Sequence, residues 1–318
     1  ILGYTGLIGN NILENLVKNK SFNLICVGRS IKNKPYLNSK IKYYRWDFNT
    51  FKKSKLSFLK KVDIIINCIG KTGNNLQNLE NINFIFVKKL LNHIISRKLR
   101  IRLIHLGSVS VYGGGAKDFG RYKLISENSI IRANDLYSNS KLRGDLLIQN
   151  VVKRNLNKNF SYTILRISNV FGGSKKSNLF KFVLFSLKSG FWIKCSDDIV
   201  FNFINVKDVA EVVILLISKL KVSKNKTYIV SDDCKQYQVY KNYQNFFKKK
   251  MIRIQVSSNI IKFLTYLLPT TKKMMNFFSL ISNRVNYSNK KIKNELNFKP
   301  KFFLNSKKKI FKWIKNLK

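Results

Sequence analysis

Three glycines spaced three residues apart stand almost at the start of the chain, in GYTGLIG (3–9). A helical pattern follows at once in NNILENLVKN (10–19), with Ile12, Leu13, Leu16 and Val17 on one face. A backbone this bare between a strand and a helix has two uses. It is an ordinary glycine turn, or it lets the chain come close to a bulky group. The chain opens as Ile1-Leu2-Gly3, without Met. A strand of ordinary length needs about five residues, so a first strand is expected to begin a few residues before Ile1.

The periods that follow alternate. FNLICVG (22–28), KIKYYRWDF (40–48), VDIIINCIG (62–70), IRLIHLGS (101–108) and SYTILRISNVFG (161–172) read as strands. The segments 83–98 and 136–155 read as helices, and 199–220 as one more strand and helix. The strands are continuous apolar runs, as both-face burial requires. The order β-α-β-β-α-β-α-β predicts an α/β fold with a doubly wound parallel sheet. After about residue 173 the pattern loosens into a smaller lobe.

Composition narrows the class. The 318 residues are 45% hydrophobic and carry 61 Lys and Arg against 15 Asp and Glu, a formal charge of +46. Such a charge invites nucleic-acid or membrane partners. The lysines, however, run from Lys18 to Lys318 among Asn, Ile and Phe, which a codon bias toward adenine and thymine explains. No nucleic-acid module is recognisable. The basic runs 52–61 and 306–315 read as solvated helix faces, or as faces that hold the protein near anionic lipid. No stretch of about 18 apolar residues exists, and FLTYLLP (263–269) is cut by Pro269. Cys26, Cys68, Cys195 and Cys234 form no CxxC and read as reduced thiols of a cytoplasmic protein. His93 and His105 lie near no cysteine cluster, so no metal site is expected.

In a fold of this kind the turn after the first strand holds a pyrophosphate, with free N–H groups of the helix N-terminus facing the anion. Gly3, Gly6 and Gly9 resemble the fingerprint of the extended short-chain dehydrogenase/reductase family, the nucleotide-sugar epimerases, dehydratases and ketoreductases. Leu2 stands where that family usually has Thr. GSVSVYGG (107–114) resembles its serine segment, YSNSK (137–141) its Y-x-x-x-K, and LRISNVFG (165–172) the strand carrying an asparagine to the sugar nucleotide. FINVKDVAEV (203–212) and NELNFKPKF (294–302) are similar to later landmarks, with Asn297 where the family has Gly. The resemblance implies a Rossmann-type dinucleotide-binding domain over 1–172, joined again by 199–231. It implies a smaller C-terminal α/β substrate lobe from 173–198 and 232–318.

The residues agree with redox chemistry at a carbinol. On a helix Tyr137 and Lys141, at i and i+4, share a face. An ammonium beside a phenol lowers its pKa from about 10, so Tyr137 is expected to exchange a proton with a sugar oxygen. Ser108 is expected to hydrogen-bond the same oxygen. By resemblance Lys141 also holds the nicotinamide ribose. Each has an ordinary alternative: a surface aromatic, a solvated lysine, a strand-end turn.

The cofactor residues expected are Gly3, Gly6, Leu7, Ile8, Gly9, Arg29, Asp47, Asn67, Gly70 and Asn83, with Tyr137 and Lys141. Binders of NAD usually carry an acid at the end of the second strand. Here Gly28 stands there, followed by Arg29, which can pair with a 2′-phosphate. NADP(H) is therefore favoured, with NAD(H) the alternative if Arg29 only lies over the adenine. Asp47 is the family's adenine contact or a turn acid. Asn67 and Gly70 are expected over the cofactor, and Asn83 supports the active-site helix. Substrate contacts are expected from Ser108, Tyr112, Asn169 and Arg284, although Tyr112 reads equally as core.

The family's dehydratases place T-D-E before V-Y-G, whereas this chain has SVSVYG, so dehydration is disfavoured. The expected activity is a 4-ketoreductase of a nucleotide-linked sugar in surface-polysaccharide synthesis. A 4-epimerase with tightly bound NAD is the alternative, and a non-catalytic nucleotide-binding subunit the alternative of another class. A homodimer and a peripheral association with anionic membrane are both compatible with the sequence.

Overall fold

The computed structural model describes the chain except for residues 32–34, 37, 49–52, 74, 114–122, 174–177, 196–197, 258, 261–262, 264–277, 279–280 and 305–318. Helix α1 (Leu7–Leu16) leads to β1 (Leu24–Gly28) and β2 (Ile41–Arg45). A 3-10 stretch precedes β3 (Ile64–Asn67). One long helix follows in three parts: α2 (Leu76–Leu79), a π-helical stretch (Glu80–Ile85) and α3 (Phe86–Ser96). Strand β4 (Ile101–Ser108) ends in a 3-10 turn (Val109–Tyr112), then come β5 (Lys123–Ile125), α4 (Leu136–Lys153) and β6 (Phe160–Ile167). The rest comprises β7 (Asn169–Phe171), α5 (Asn178–Ser189), β8 (Phe191–Lys194), β9 (Val200–Phe201), β10 (Phe203–Asn205), α6 (Val206–Ser218) and β11 (Lys226–Val230). It ends with β12 (Cys234–Lys235), α7 (Gln236–Phe247), β13 (Ile252–Gln255), β14 (Val285–Tyr287) and α8 (Lys290–Leu296).

The main sheet is parallel. Strand β1 pairs with β2, and β3, β4, β6 and β11 pair in that order. Leu2 joins the two halves, bridging Val27 on one side and Asn67 on the other. Its N–H donates to Ile66 O at 2.9 Å, and its carbonyl accepts from Cys68 N at 3.0 Å. The spatial order is therefore β2, β1, the Leu2 stub, β3, β4, β6, β11. The order reverses at the stub, and in open α/β sheets that switch point, outside the carboxyl ends of the strands, is where ligands bind.

Alternate residues of each strand feed opposite faces. Ile66, Ile104, Leu106, Leu165 and Val230 pack under α1 and α6, against Leu13, Leu16, Val209 and Val213. Ile65, Leu103 and Ile164 pack under α3 and α4, against Leu90, Ile94, Ile148 and Val151. This is the doubly wound arrangement, and it explains why the strands read as unbroken apolar runs. Smaller pairs complete the fold: β7 with β10, β8 with β13 and β5 with β14 are parallel, and β9 with β12 is antiparallel. Their aromatic core is built from Phe171, Phe180, Trp192, Phe201, Phe203 and Tyr240.

Among the described residues no helix is long and apolar enough to cross a membrane. The basic run 306–315, and 264–269 of the FLTYLLP segment, lie outside the described residues. All four cysteines are free thiols. Burial pushes Cys26 up to about 11 and Cys68 up to about 12, which leaves them unreactive at neutral pH.

Candidate active site

The opening turn is shaped by its glycines, each for a different reason. Gly3 adopts φ +83°, a left-handed conformation that L side chains rarely accept. Gly9 faces inward: a Cβ there would lie 2.3 Å from Gly3 O and 2.9 Å from Tyr4 Cα. Gly6 is the N-cap of α1 with ordinary extended dihedrals and no side-chain cap. It is exposed, and its only close neighbour would be Gly3 O at 3.3 Å. The first N–H groups of α1 thus open beside a bare, outward-facing backbone, and Leu7 and Ile8 lie half-buried there. The geometry fits the pyrophosphate of a dinucleotide, a space that a side chain at residue 6 would fill.

The carboxyl end of β3 borders this turn. Asn67 is buried; its Nδ2 lies 3.0 Å from His105 Nδ1, and its Oδ1 accepts from Ile69 N at 3.1 Å. Three residues on, Gly70 is exposed, and a Cβ there would lie 3.8 Å from Asn83 Oδ1 and 3.9 Å from Lys141 Nζ. Asn83, in the π-helical stretch, is a staple. It accepts from Lys71 N and donates to Lys71 O, both at 2.9 Å, and it donates to Ser140 Oγ at 2.9 Å. One amide therefore ties the loop after β3 to α4, and the π-helical widening sits where that amide does so.

Helix α4 starts at a capping box. The Asp135 carboxylate accepts from Ser138 N at 2.8 Å, while Ser138 Oγ accepts from Asp135 N at 3.1 Å. The cap fixes Tyr137 as the second residue of the helix. Its phenol lies beside the Ser108 side chain at the end of β4. Ser108 is itself held by Ser110 N, which donates to its Oγ at 3.2 Å. One turn on, Lys141 is buried and its Nζ donates to the Leu106 carbonyl at 2.5 Å.

This geometry corrects one expectation. The ammonium is turned to a strand carbonyl and does not depress the phenol. Burial holds Tyr137 above the usual tyrosine value, with the Ser108 hydroxyl pulling the other way. Burial likewise pulls Lys141 down, opposed by Asp145.

A buried ion pair that sequence reading missed lies behind these groups. Asp145, one turn beyond Lys141, accepts from Arg166 Nε at 3.1 Å, and both are almost fully buried. Gly107 makes room for the carboxylate: a Cβ there would stand 3.1 Å from Asp145 Oδ1. His105 Nε2 lies 3.8 Å from the same oxygen. Burial, and then Lys141, hold His105 well below the ordinary histidine range, so it is neutral. The signal was Arg166 itself: a charge inside an apolar strand requires a partner.

The remaining predicted residues make contacts of their own. Arg29 and Asp47 are exposed at the ends of β1 and β2, and Arg29 has no ion pair among the described residues. Asn169 is half-buried, and its Nδ2 donates to Asn202 O at 3.1 Å. Tyr112 is 3% exposed, and its hydroxyl accepts from Arg166 at 2.7 Å and donates to Glu127 O at 3.3 Å. It packs with Val109, Val111 and Ile229, which accounts for it as a core residue. Arg284 pairs with Asp198 at 3.0 Å, and Asp198 also holds Lys235.

The model of the NAD dependent epimerase/dehydratase family matches residues 1–231. Solved structures share the fold. A UDP-glucuronic acid 4-epimerase from Bacillus cereus, in complex with NAD, is 17% identical with a TM-score of 0.72, over 100% of this chain and 96% of its own. A UDP-glucose 4-epimerase from Thermotoga maritima, with UDP-glucose, is 17% identical with a TM-score of 0.68, over 100% and 98%. RMD from Pseudomonas aeruginosa, complexed with NADPH, is 16% identical with a TM-score of 0.61, over 95% and 93%. No curated protein matches in sequence.

Proposed function

The chain belongs to the NAD dependent epimerase/dehydratase family, and on that premise we propose that it is a nicotinamide-dependent oxidoreductase of a nucleotide-linked sugar, acting as a 4-ketoreductase. The observation that carries the redox reading is the placement of Ser108, the last residue of β4, beside Tyr137, the second residue of α4. The pair stands at the carboxyl end of the sheet, one helical turn from Lys141. The dinucleotide, when bound, supplies or accepts the hydride.

The chain's own residues do the rest. Gly6 and the first N–H groups of α1 receive the pyrophosphate. Asn67 and Gly70 border the nicotinamide end. Asn83 holds the loop after β3 against α4. Tyr137 gives its proton to the oxygen of the sugar ketone as that oxygen gains charge, and Ser108 hydrogen-bonds the same oxygen. Lys141, held by the Leu106 carbonyl, stands one turn along the same helix and binds the nicotinamide ribose. Retention of all three side chains supports an enzyme over a purely structural subunit.

The NADP(H) preference, and with it the reductase reading, rests on the end of β1. Gly28 leaves no acid to repel a 2′-phosphate, and Arg29 is exposed next to it. The second reading is a 4-epimerase, supported by structural neighbours solved with NAD and UDP-sugars. The deciding experiment is to purify the protein and identify any retained dinucleotide by mass, then assay reduction of keto sugar nucleotides. Tightly retained NAD with interconversion of UDP-hexoses would replace the reductase by the epimerase.

A further inference from the structure

The C-terminal half carries an apolar face that lies outside the proposed redox site. Phe185 on α5 is 70% exposed and Phe191 on β8 is 46% exposed. On β13, Ile252 and Ile254 are 59% and 40% exposed. The parallel register sets Phe191 beside Ile252 and Ile193 beside Ile254, and paired residues of a ladder project to the same side. Phe185, Phe191 and Ile193 line one groove between α5 and β8. The four exposed side chains therefore form one band across a helix and a two-stranded sheet. Leaving so much contiguous apolar surface in water is costly.

The ionisable residues of α5, β8 and β13, and of the run just before β13, are all basic. Lys181, Phe185 and Lys188 fall at i−4, i and i+3, on one exposed face of α5. Lys248, Lys249 and Lys250 are exposed immediately before β13. No Asp or Glu occurs from Asn178 to Lys194, nor from Cys234 to Asn294. A second copy would set these cations against one another. A nucleic acid would satisfy the charge but gives the aliphatic Ile252 and Ile254 no stacking partner. A bilayer with anionic headgroups satisfies both, since it takes apolar side chains at the headgroup boundary and concentrates lysines at its surface.

We propose that the face formed by α5, β8 and β13 docks on an anionic lipid surface, with Phe185, Phe191, Ile252 and Ile254 inserted and the flanking lysines against the headgroups. This does not depend on the redox reading, since it uses none of the residues named for it.

Flotation of the full chain tests it, using vesicles of phosphatidylcholine alone or mixed with phosphatidylglycerol. Wild type is expected to float with the mixed vesicles and not with the neutral ones, and to keep a bound fraction at high salt, where purely electrostatic adsorption is screened. Phe185→Ser/Ile252→Ser should lose that salt-resistant fraction by about ten-fold or more. Lys181→Glu/Lys188→Glu should lose binding at low salt. Both variants should melt as wild type does. Absence of wild-type flotation on anionic vesicles would overturn the proposal. So would equal flotation of the apolar variant at every salt concentration. A dimer or an RNA complex that these substitutions dissolve, without vesicle binding, would assign the face to that partner instead.

Discussion

Tyr4 lies directly beneath Gly28: a Cβ on residue 28 would stand 2.9 Å from the Tyr4 ring. Tyr4 is almost fully buried, donates to Ser30 O at 3.1 Å and packs on Tyr43 at 5.4 Å between ring centroids. The ring therefore has no easy retreat. The position at which NAD binders usually place a ribose-reading acid is closed to any side chain by a residue inside the glycine turn itself.

It follows that cofactor preference should be probed at Arg29, where exposure makes substitution harmless to the fold. Loss of a charge-assisted pair costs about 1.5–3 kcal/mol, or about ten- to a hundred-fold in affinity. Arg29→Ala should weaken NADPH binding by that factor and leave NADH binding unchanged, as read by fluorescence titration. Gly28→Asp alone should lower the melting temperature through overpacking against Tyr4, so a double exchange at 28 and 29 does not give a clean reversal. Equal weakening of both cofactors by Arg29→Ala would mean that the guanidinium only covers the adenine.

The glycine turn separates folding from binding. Gly6→Val places its side chain outward, so the protein should melt near the wild-type temperature yet lose dinucleotide affinity by calorimetry. Gly9→Ala directs a methyl onto Gly3 O, and it should destabilise by about 1–3 kcal/mol or more. If Gly6→Val binds the dinucleotide as wild type does, the cradle is not where the pyrophosphate lies.

The elements that follow from backbone periodicity were legible in the sequence, as β4 over 101–108 and α4 from residue 136 illustrate. Apolar runs and a capping acid are local signals. What stayed hidden depends on distance in the chain. The Asn83 bonds to Lys71 and Ser140 span 12 and 57 residues, and nothing local announces a π-helical stretch. Tyr4 beneath Gly28 and Asp145 against Arg166 are likewise products of tertiary packing. The direction in which Lys141 points is a further case. Spacing put it on the face of Tyr137, but a strand carbonyl 35 residues away captured its ammonium.

Asp232 makes a pH prediction with a definite sign. Burial and the nearby Asp208 raise its carboxyl to about 7, against about 4 in an unfolded chain. Between these values the folded state binds the extra proton. Its contribution to stability is therefore largest at about pH 4 or below, shrinks as pH rises toward 7 and is gone above it. Asp232→Asn removes the group whose charging opposes folding. The variant should melt higher than wild type above about pH 7, and the gap should close as pH falls toward 4. A gap independent of pH would show that Asp232 acts by packing alone.

The proton donor gives the sharpest test of the reaction. Tyr137→Phe keeps the ring and removes the hydroxyl, so turnover should fall by about 10²-fold or more with melting unchanged. Burial holds the phenol above its usual value of about 10. A ketone reduction needs the protonated phenol, so wild-type kcat should stay flat through neutral pH and decline only in the alkaline range. Ser108→Ala removes the hydroxyl that pulls the phenol down. It should lower kcat and move the alkaline limb to higher pH, a displacement that mere loss of packing would not produce. The measurement is kcat against pH with a keto sugar nucleotide and the reduced dinucleotide, for wild type and Ser108→Ala. A wild-type kcat that climbs with pH through the neutral range would mean that Tyr137 works as the phenolate base, with the Lys141 ammonium then acting on it in the loaded enzyme, and the reductive role proposed for the phenol would fall.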